Sequence, residues 1–180
     1  MFSKQALTLT AALMLTGLAE AALPVGAPAP DFSADAALGG QPYKFSLAAA
    51  LKKGPVVLYF YPKAFTSGCT VEAHLFAEAS EKFEALGATV VGISNDNIDT
   101  LKKFSIEACR NKFAVAADAG AKVMKDYDAK LNLPAVDMAS RVSYLISSDG
   151  RIAAVHAAMK PEGHIETMLK AAEQLKSAKR

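Results

Sequence analysis

The run VVLYFY, Val56 to Tyr61, constrains this chain more than any other stretch. It is apolar throughout, with no alternating polar residues. Such a run suits a central strand covered on both faces. A strand of that kind needs neighbouring strands and helices above and below, and the chain supplies both. Between Thr70 and Leu86 the apolar residues Val71, Leu75, Phe76, Ala79, Phe83 and Leu86 recur at helical spacing, and Gly87 ends the helix. ATVVGIS reads as the next strand. NDNIDTLKKFSIEACRNKF reads as a second helix capped by Asn95 or Asp96. AVAAD is a short strand and AKVMKDYDAKL a third helix. RVSYLIS and RIAAVHA flank the turn SDG and read as a β-hairpin.

The chain closes with GHIETMLKAAEQLKSAKR, an amphipathic helix on Ile165, Met168, Leu169, Ala172 and Leu175. Upstream of the central run, LPVGAPAPDF is extended and Pro-rich. LGGQPYKFSL holds a Gly-Gly turn and a short strand. SLAAALKKG is a helical turn with Ser46 as its cap and Gly54 as its stop. The order βαβαβαββα gives one α/β domain with a mixed central sheet flanked by helices. A terminal hairpin after βαβ units is the thioredoxin-like arrangement.

The chain has 180 residues, enough for one domain with a real core. Its formal net charge is +2, with only short basic pairs at Lys52-Lys53 and Lys102-Lys103. That argues against a nucleic-acid-binding protein. The first 22 residues stand apart. MFSK gives a positive start, Ala6 to Ala19 is weakly polar to apolar, and AEA is a small-x-small cleavage signature. Together these read as a secretory signal peptide, with the mature domain spanning 23–180. The apolar run is short for a membrane span, which takes about 20 residues. The expected location is exported, in a bacterial periplasm, with no membrane attachment after cleavage.

Cys69 is one of two cysteines, and it lies just after the central strand. In open α/β sheets, active sites collect at the carboxyl ends of strands. Cys69 therefore falls in the first turn of a helix at the sheet's active edge, where unpaired N–H groups favour a thiolate. A free thiol is only about 3% ionised at neutral pH, so complete ionisation gains at most about thirtyfold. A fast reaction at this sulfur needs positioning and stabilisation of the leaving group as well. Thr66, three residues earlier, is one such group, since a hydroxyl both accepts and donates.

PKAFTSGC matches the pattern P-x-x-x-T-x-x-C through Pro62, Thr66 and Cys69. On these residues, and on APDF, VVGISND and SRVSYLISSDGRI, the chain resembles the peroxiredoxins. GCTVEA continues as the Q-type, or bacterioferritin-comigratory, subgroup does, here in an exported form. The resemblance implies a thiol-dependent peroxidase that reduces hydrogen peroxide and organic hydroperoxides. Cys69 would be the peroxidatic cysteine, becoming a sulfenic acid. Thr66 would hold the peroxide in line and Pro62 would shield the sulfur from water. Arg141 would stabilise the thiolate and the leaving oxygen, a task suited to a guanidinium's fixed fork of donors. Glu72, one helical turn after Cys69, is placed either to orient Arg141 or simply to face solvent. No cofactor or metal is implied, and the state expected is a monomer or weak dimer.

Many Q-type members carry a resolving cysteine five residues after the peroxidatic one. Here that position is His74, a surface or half-buried helix histidine. The remaining sulfur is Cys109, on the second predicted helix, on the side shared with Ile98, Ile106 and Phe113. Three readings stay open. Cys109 resolves the sulfenic acid by a Cys69–Cys109 disulfide, recycled by a thioredoxin-like reductant. Alternatively it is an inert core residue and an external small thiol resolves, or the two form a permanent bond. The nearest rival function is an exported thiol–disulfide oxidoreductase, but that chemistry wants C-x-x-C where this chain has T-x-x-C. A metal-binding module would want closely spaced cysteines with a histidine.

Overall fold

The computed structural model describes residues 22–178. The signal peptide expected over 1–22 lies outside them, apart from Ala22. The strands are β1 (Ser33–Leu38), β2 (Gln41–Ser46), β3 (Val56–Phe60), β4 (Thr89–Ser94), β5 (Ala114–Ala117), β6 (Val142–Ile146) and β7 (Ile152–Ala157). The helices are α1 (Leu47–Leu51), α2 (Ser67–Ala85), α3 (Ile98–Glu107), α4 (Lys122–Asp126) and α5 (His164–Ser177). The strands form one seven-stranded sheet in the order β2-β1-β5-β4-β3-β6-β7. β3 runs parallel to β4 and antiparallel to β6, so the sheet is mixed, as expected. Among the described residues no helix is long and apolar enough to cross a membrane.

Every residue of β3 is buried, which is what its unbroken apolar run requires. Val56, Leu58 and Phe60 point into one core with Tyr144, Tyr127 and Met124. Val57, Tyr59 and the following Tyr61 point into the other, with Phe76, Phe83, Phe104 and both cysteines. Period-2 alternation of a wholly apolar strand thus feeds two cores at once. In the second core Tyr59 stacks on Phe76 with ring centroids 4.4 Å apart. It also lies flat over Gly92 of β4, its cross-strand partner. A Cβ at Gly92 would meet the Tyr59 ring at 2.6 Å. Gly92→Ala should therefore lower Tm by about 3–10 °C, the effect of overpacking by about 1–3 kcal/mol in a domain of this size. An unchanged melting curve would show that Tyr59 has room to move.

Several local expectations are corrected. β1 was not expected, because SADAAL is poor in strand-forming side chains; its place comes from pairing with β2 and β5. α3 is capped by Asn97, whose Oδ1 accepts from Thr100 N at 2.9 Å, and not by Asn95 or Asp96. α4 covers 5 residues rather than the whole of AKVMKDYDAKL, since Asp128 turns left-handed at φ 50°. α2 begins at Ser67 and buries Cys69, Glu72, Ala73, Phe76 and Phe83. Val71 lies off that face and is 44% exposed.

Candidate active site

The site forms where β3 runs out. Phe60 is paired with Val142, so Arg141 arrives beside the end of the central strand, where the chain turns towards α2. Tyr61 is buried and Pro62 half-buried; the loop then reaches Phe65, whose backbone is left-handed at φ 64°. Phe65 holds that conformation with its ring edge-on to Phe104 of α3, centroids 5.2 Å apart. Asp96 pins the same loop: its Oδ2 accepts from Ala64 N and from Ser94 Oγ, both at 2.8 Å. Sequence reasoning gave Asp96 a capping role on α3; its carboxylate serves the active loop instead.

Thr66 is the N-cap residue of α2 by backbone, but its side chain makes no cap bond. The N–H groups of the helix's first turn therefore lack the usual side-chain partner. The Thr66 hydroxyl donates to the Lys63 carbonyl at 2.9 Å. That commits its proton and leaves the oxygen lone pairs as acceptors.

Cys69 is the third residue of α2 and only 1% exposed. An open groove beside the loop is lined by Pro62, Phe65, Thr100 and Met138 but not by Cys69. Arg141 Nη2 donates to Cys69 Sγ at 3.4 Å. Arg141 Nη1 donates to Glu72 Oε2, and Arg141 Nε donates to the Met159 carbonyl at 3.0 Å. The guanidinium is thus held on three sides. Glu72 is fully buried and paired with Arg141, so it is not the surface residue that one reading expected. Burial pushes the Glu72 carboxyl up to about 8, against the opposing pull of Arg141. Burial works against the Arg141 charge as well, but Glu72 and Cys69 more than offset it, and its pKa rises.

Gly68 shows how closely this is fitted, since a Cβ there would meet Arg141 Nη2 at 3.2 Å. Gly68→Ala should slow peroxide reduction about tenfold by displacing a guanidinium that has little room to give. Stopped-flow mixing tests this, and a variant as fast as the parent contradicts the packing.

Cys109 is fully buried, among the aromatic residues that also enclose Cys69. It is not on α3, as the sequence suggested, but two residues beyond its end. The helix stops because Arg110 and Asn111 are both left-handed, at φ 51° and 60°. Ile106, expected on the same buried side, is 49% exposed. Burial pushes the Cys109 thiol far above its ordinary range. Both cysteines are free in this structure. His74 is half-buried on α2. Among the described residues no group of three His, Cys, Asp or Glu side chains is placed to hold a metal.

Sequence reasoning missed His164. It is fully buried at the start of α5, with Nδ1 2.8 Å from Ser143 Oγ and 3.7 Å from Glu72 Oε1. Burial lowers its pKa to about 4, so the ring is neutral near neutral pH. The one available signal was its position, directly after Gly163 at a helix start.

Residues 25–155 match the AhpC/TSA family. Peroxiredoxin Q, chloroplastic, of Sedum lineare is 36% identical over 138 residues, 76% of this chain and 72% of that one. Its counterpart in Populus jackii is 35% identical over 125 residues, 69% of this chain but only 58% of that longer protein. The crystal structure of Peroxidoxin BcpB from Mycobacterium tuberculosis superimposes with a TM-score of 0.74 at 30% identity, covering 84% of this chain and 97% of that one. By the family match, these relatives and the shared fold, the chain belongs to the AhpC/TSA family of peroxiredoxins, with Q-type members among its relatives.

Proposed function

We infer that the thiol-dependent peroxidase chemistry of this family is carried out here by Cys69. Its thiolate attacks the terminal oxygen of a hydroperoxide, the S–O bond forms as the O–O bond breaks, and Cys69 becomes a sulfenic acid. The other oxygen leaves as an alkoxide or hydroxide and takes a proton to become an alcohol or water. The observation that carries this reading is the Arg141 fork, with one donor on Cys69 Sγ and another on buried Glu72. A fixed positive group at the sulfur stabilises the thiolate and the charge that develops on the departing oxygen. Thr66 accepts from the substrate's O–H, and Pro62 keeps water off the sulfur.

Cys109 resolves the sulfenic acid. Its thiol gives up a proton, its sulfur displaces hydroxide from Cys69, and water leaves as the disulfide forms. In its closed pocket Cys109 ionises poorly, so the step needs the turn after α3 and the first turn of α2 to open. A thioredoxin-like or small-thiol reductant then restores both thiols. The N-terminal leader pattern supports an exported enzyme, working where disulfides persist, in the periplasm. Peroxide consumption with dithiothreitol, set against insulin reduction, tests the function. The first should be positive and the second negative. Insulin reduction without peroxide consumption would place the protein among thiol–disulfide oxidoreductases.

A further inference from the structure

Arg141 has three acceptors: Cys69 Sγ, Glu72 Oε2 and the Met159 carbonyl. Of the two that are not sulfur, Glu72 lies beside the His164 ring and Met159 follows the residue whose carbonyl that ring holds. Its Nε2 lies 2.9 Å from the Ala158 carbonyl. A carbonyl only accepts, so Nε2 carries the proton and Nδ1 of the neutral ring presents a lone pair. Ser143 Oγ–H donates to that lone pair across 2.8 Å. Ala158 N–H in turn donates to the Arg141 carbonyl at 3.3 Å, and the next residue, Met159, supplies the carbonyl that holds Arg141 Nε. One edge of the ring therefore fixes the 158–159 segment, and the other fixes β6 two residues from Arg141.

The same ring closes the far side of Glu72. Glu72 Oε1 is buried with no hydrogen-bond partner, 3.7 Å from His164 Nδ1. At 3.7 Å Nδ1 is too far to hydrogen-bond that oxygen, and its lone pair is already occupied by Ser143 Oγ–H. The polar contact of Glu72 is then on the Arg141 side, where Oε2 accepts from Nη1. The His156 ring, edge-on at 4.5 Å, packs against His164 from β7. His164 thus joins α5, β6 and the segment after β7 around the group that faces the sulfur.

We propose that His164 is a positioning residue for peroxide reduction, acting on Cys69 through Arg141 and Glu72. This rests on Cys69 being the peroxide-reactive sulfur. His164 touches neither substrate nor sulfur; it keeps the guanidinium aimed at the leaving oxygen. Alkylation of Cys69 by iodoacetamide needs the thiolate but no such aim. The ratio of peroxide rate to alkylation rate therefore separates aim from thiolate formation, provided alkylation is no faster than in the parent; a general loosening of α5 would open the buried sulfur and raise the alkylation rate itself.

The test measures both rates, by stopped flow and by mass spectrometry, in the parent, His164→Leu and His164→Gln. The expected result is a ratio about tenfold lower in His164→Leu, as for a reactive group misaimed by a fraction of an ångström. His164→Gln, whose amide N–H reaches for the Ala158 carbonyl, should regain much of the loss. An unchanged ratio in folded His164→Leu overturns the proposal, and so does a glutamine variant no better than leucine. If His164→Leu does not fold, Ser143→Ala carries the test: the ratio should fall about fivefold, the worth of one hydrogen bond, and an unchanged ratio overturns the proposal. A parent that alkylates at Cys69 yet does not react with peroxide sinks the peroxidase reading itself, and this inference with it.

Discussion

Arg141→Met slows sulfenic acid formation at Cys69 by about 10²–10³-fold, the usual loss when one donor to a developing oxyanion is removed. The side chain is replaced by one of similar length that keeps the packing but donates nothing. The thiol remains, the loop remains, and Thr66 still accepts. What is lost is the positive fork, 3.4 Å from Sγ, which the proposed mechanism sets against the departing oxygen. Rapid mixing with hydrogen peroxide gives the rate directly. A variant within a factor of two or so of the parent would remove Arg141 from the mechanism.

The same substitution leaves Glu72 buried without its partner. Breaking a buried pair by deleting one member typically costs about 3–5 kcal/mol. Here the loss should depend on pH, and the sign follows from the raised carboxyl pKa. The ordinary value is 4.5, and burial has already pushed Glu72 to about 8 with Arg141 pulling the other way. Without Arg141 the folded pKa rises further. A group whose folded pKa is raised contributes stability that is fully present below its unfolded pKa and lost as pH rises. The unfolded pKa is common to both proteins and cancels in the comparison, so the gap in Tm between variant and parent should be nearly constant up to about pH 7 and widen as pH rises through about 8, where the parent's Glu72 ionises beside Arg141 and the variant's does not. His164, which takes up its proton between about 6.5 and 4, is present in both proteins and cancels to first order in the difference. Adding Glu72→Gln to Arg141→Met should recover stability without recovering rate. A gap that narrows as pH rises would mean that Glu72 is not held in a dry site.

Cys109→Ser should reduce the first equivalent of peroxide at the parent's rate and then stall when a thioredoxin-type protein is the reductant. The chemical step needs nothing from Cys109, which is fully buried away from the Arg141 fork. In the proposed cycle regeneration needs it, because His74 occupies the position where a local resolving sulfur would stand. Without Cys109 the sulfenic acid waits for an external thiol, and excess peroxide carries it on to sulfinic acid. In the parent, sub-denaturing urea should speed disulfide formation, because opening the turn after α3 frees a thiol that burial keeps protonated. Multiple turnover by Cys109→Ser with the protein reductant, as fast as the parent, would assign resolution elsewhere.

Some of this could be read along the chain and some could not. The unbroken apolar run of β3, the turn at Pro62 and the helical spacing of Phe76 and Phe83 placed Cys69 at a helix start on the sheet's edge. Those are local patterns, and they survived. Arg141 came only through the family resemblance, since its approach to Cys69 depends on the register of β6 against β3, across 72 positions. Glu72 and His164 look like surface residues by composition. Their burial is decided by what lies opposite, which periodicity cannot see. Cys109 was placed on the right buried patch for an imperfect reason: the wheel assumed a helix that two left-handed residues cut short. Asp96 looked like a helix cap because it precedes a helix, but the loop it holds arrives from 32 positions earlier.

An anaerobic titration of the reduced protein with hydrogen peroxide, followed by thiol counting and mass mapping, tests the central claim most directly. With one equivalent of peroxide per chain, both thiols should disappear and a single Cys69–Cys109 linkage should be recovered. Persistence of both thiols after peroxide addition would contradict the assignment of Cys69 as the reacting sulfur.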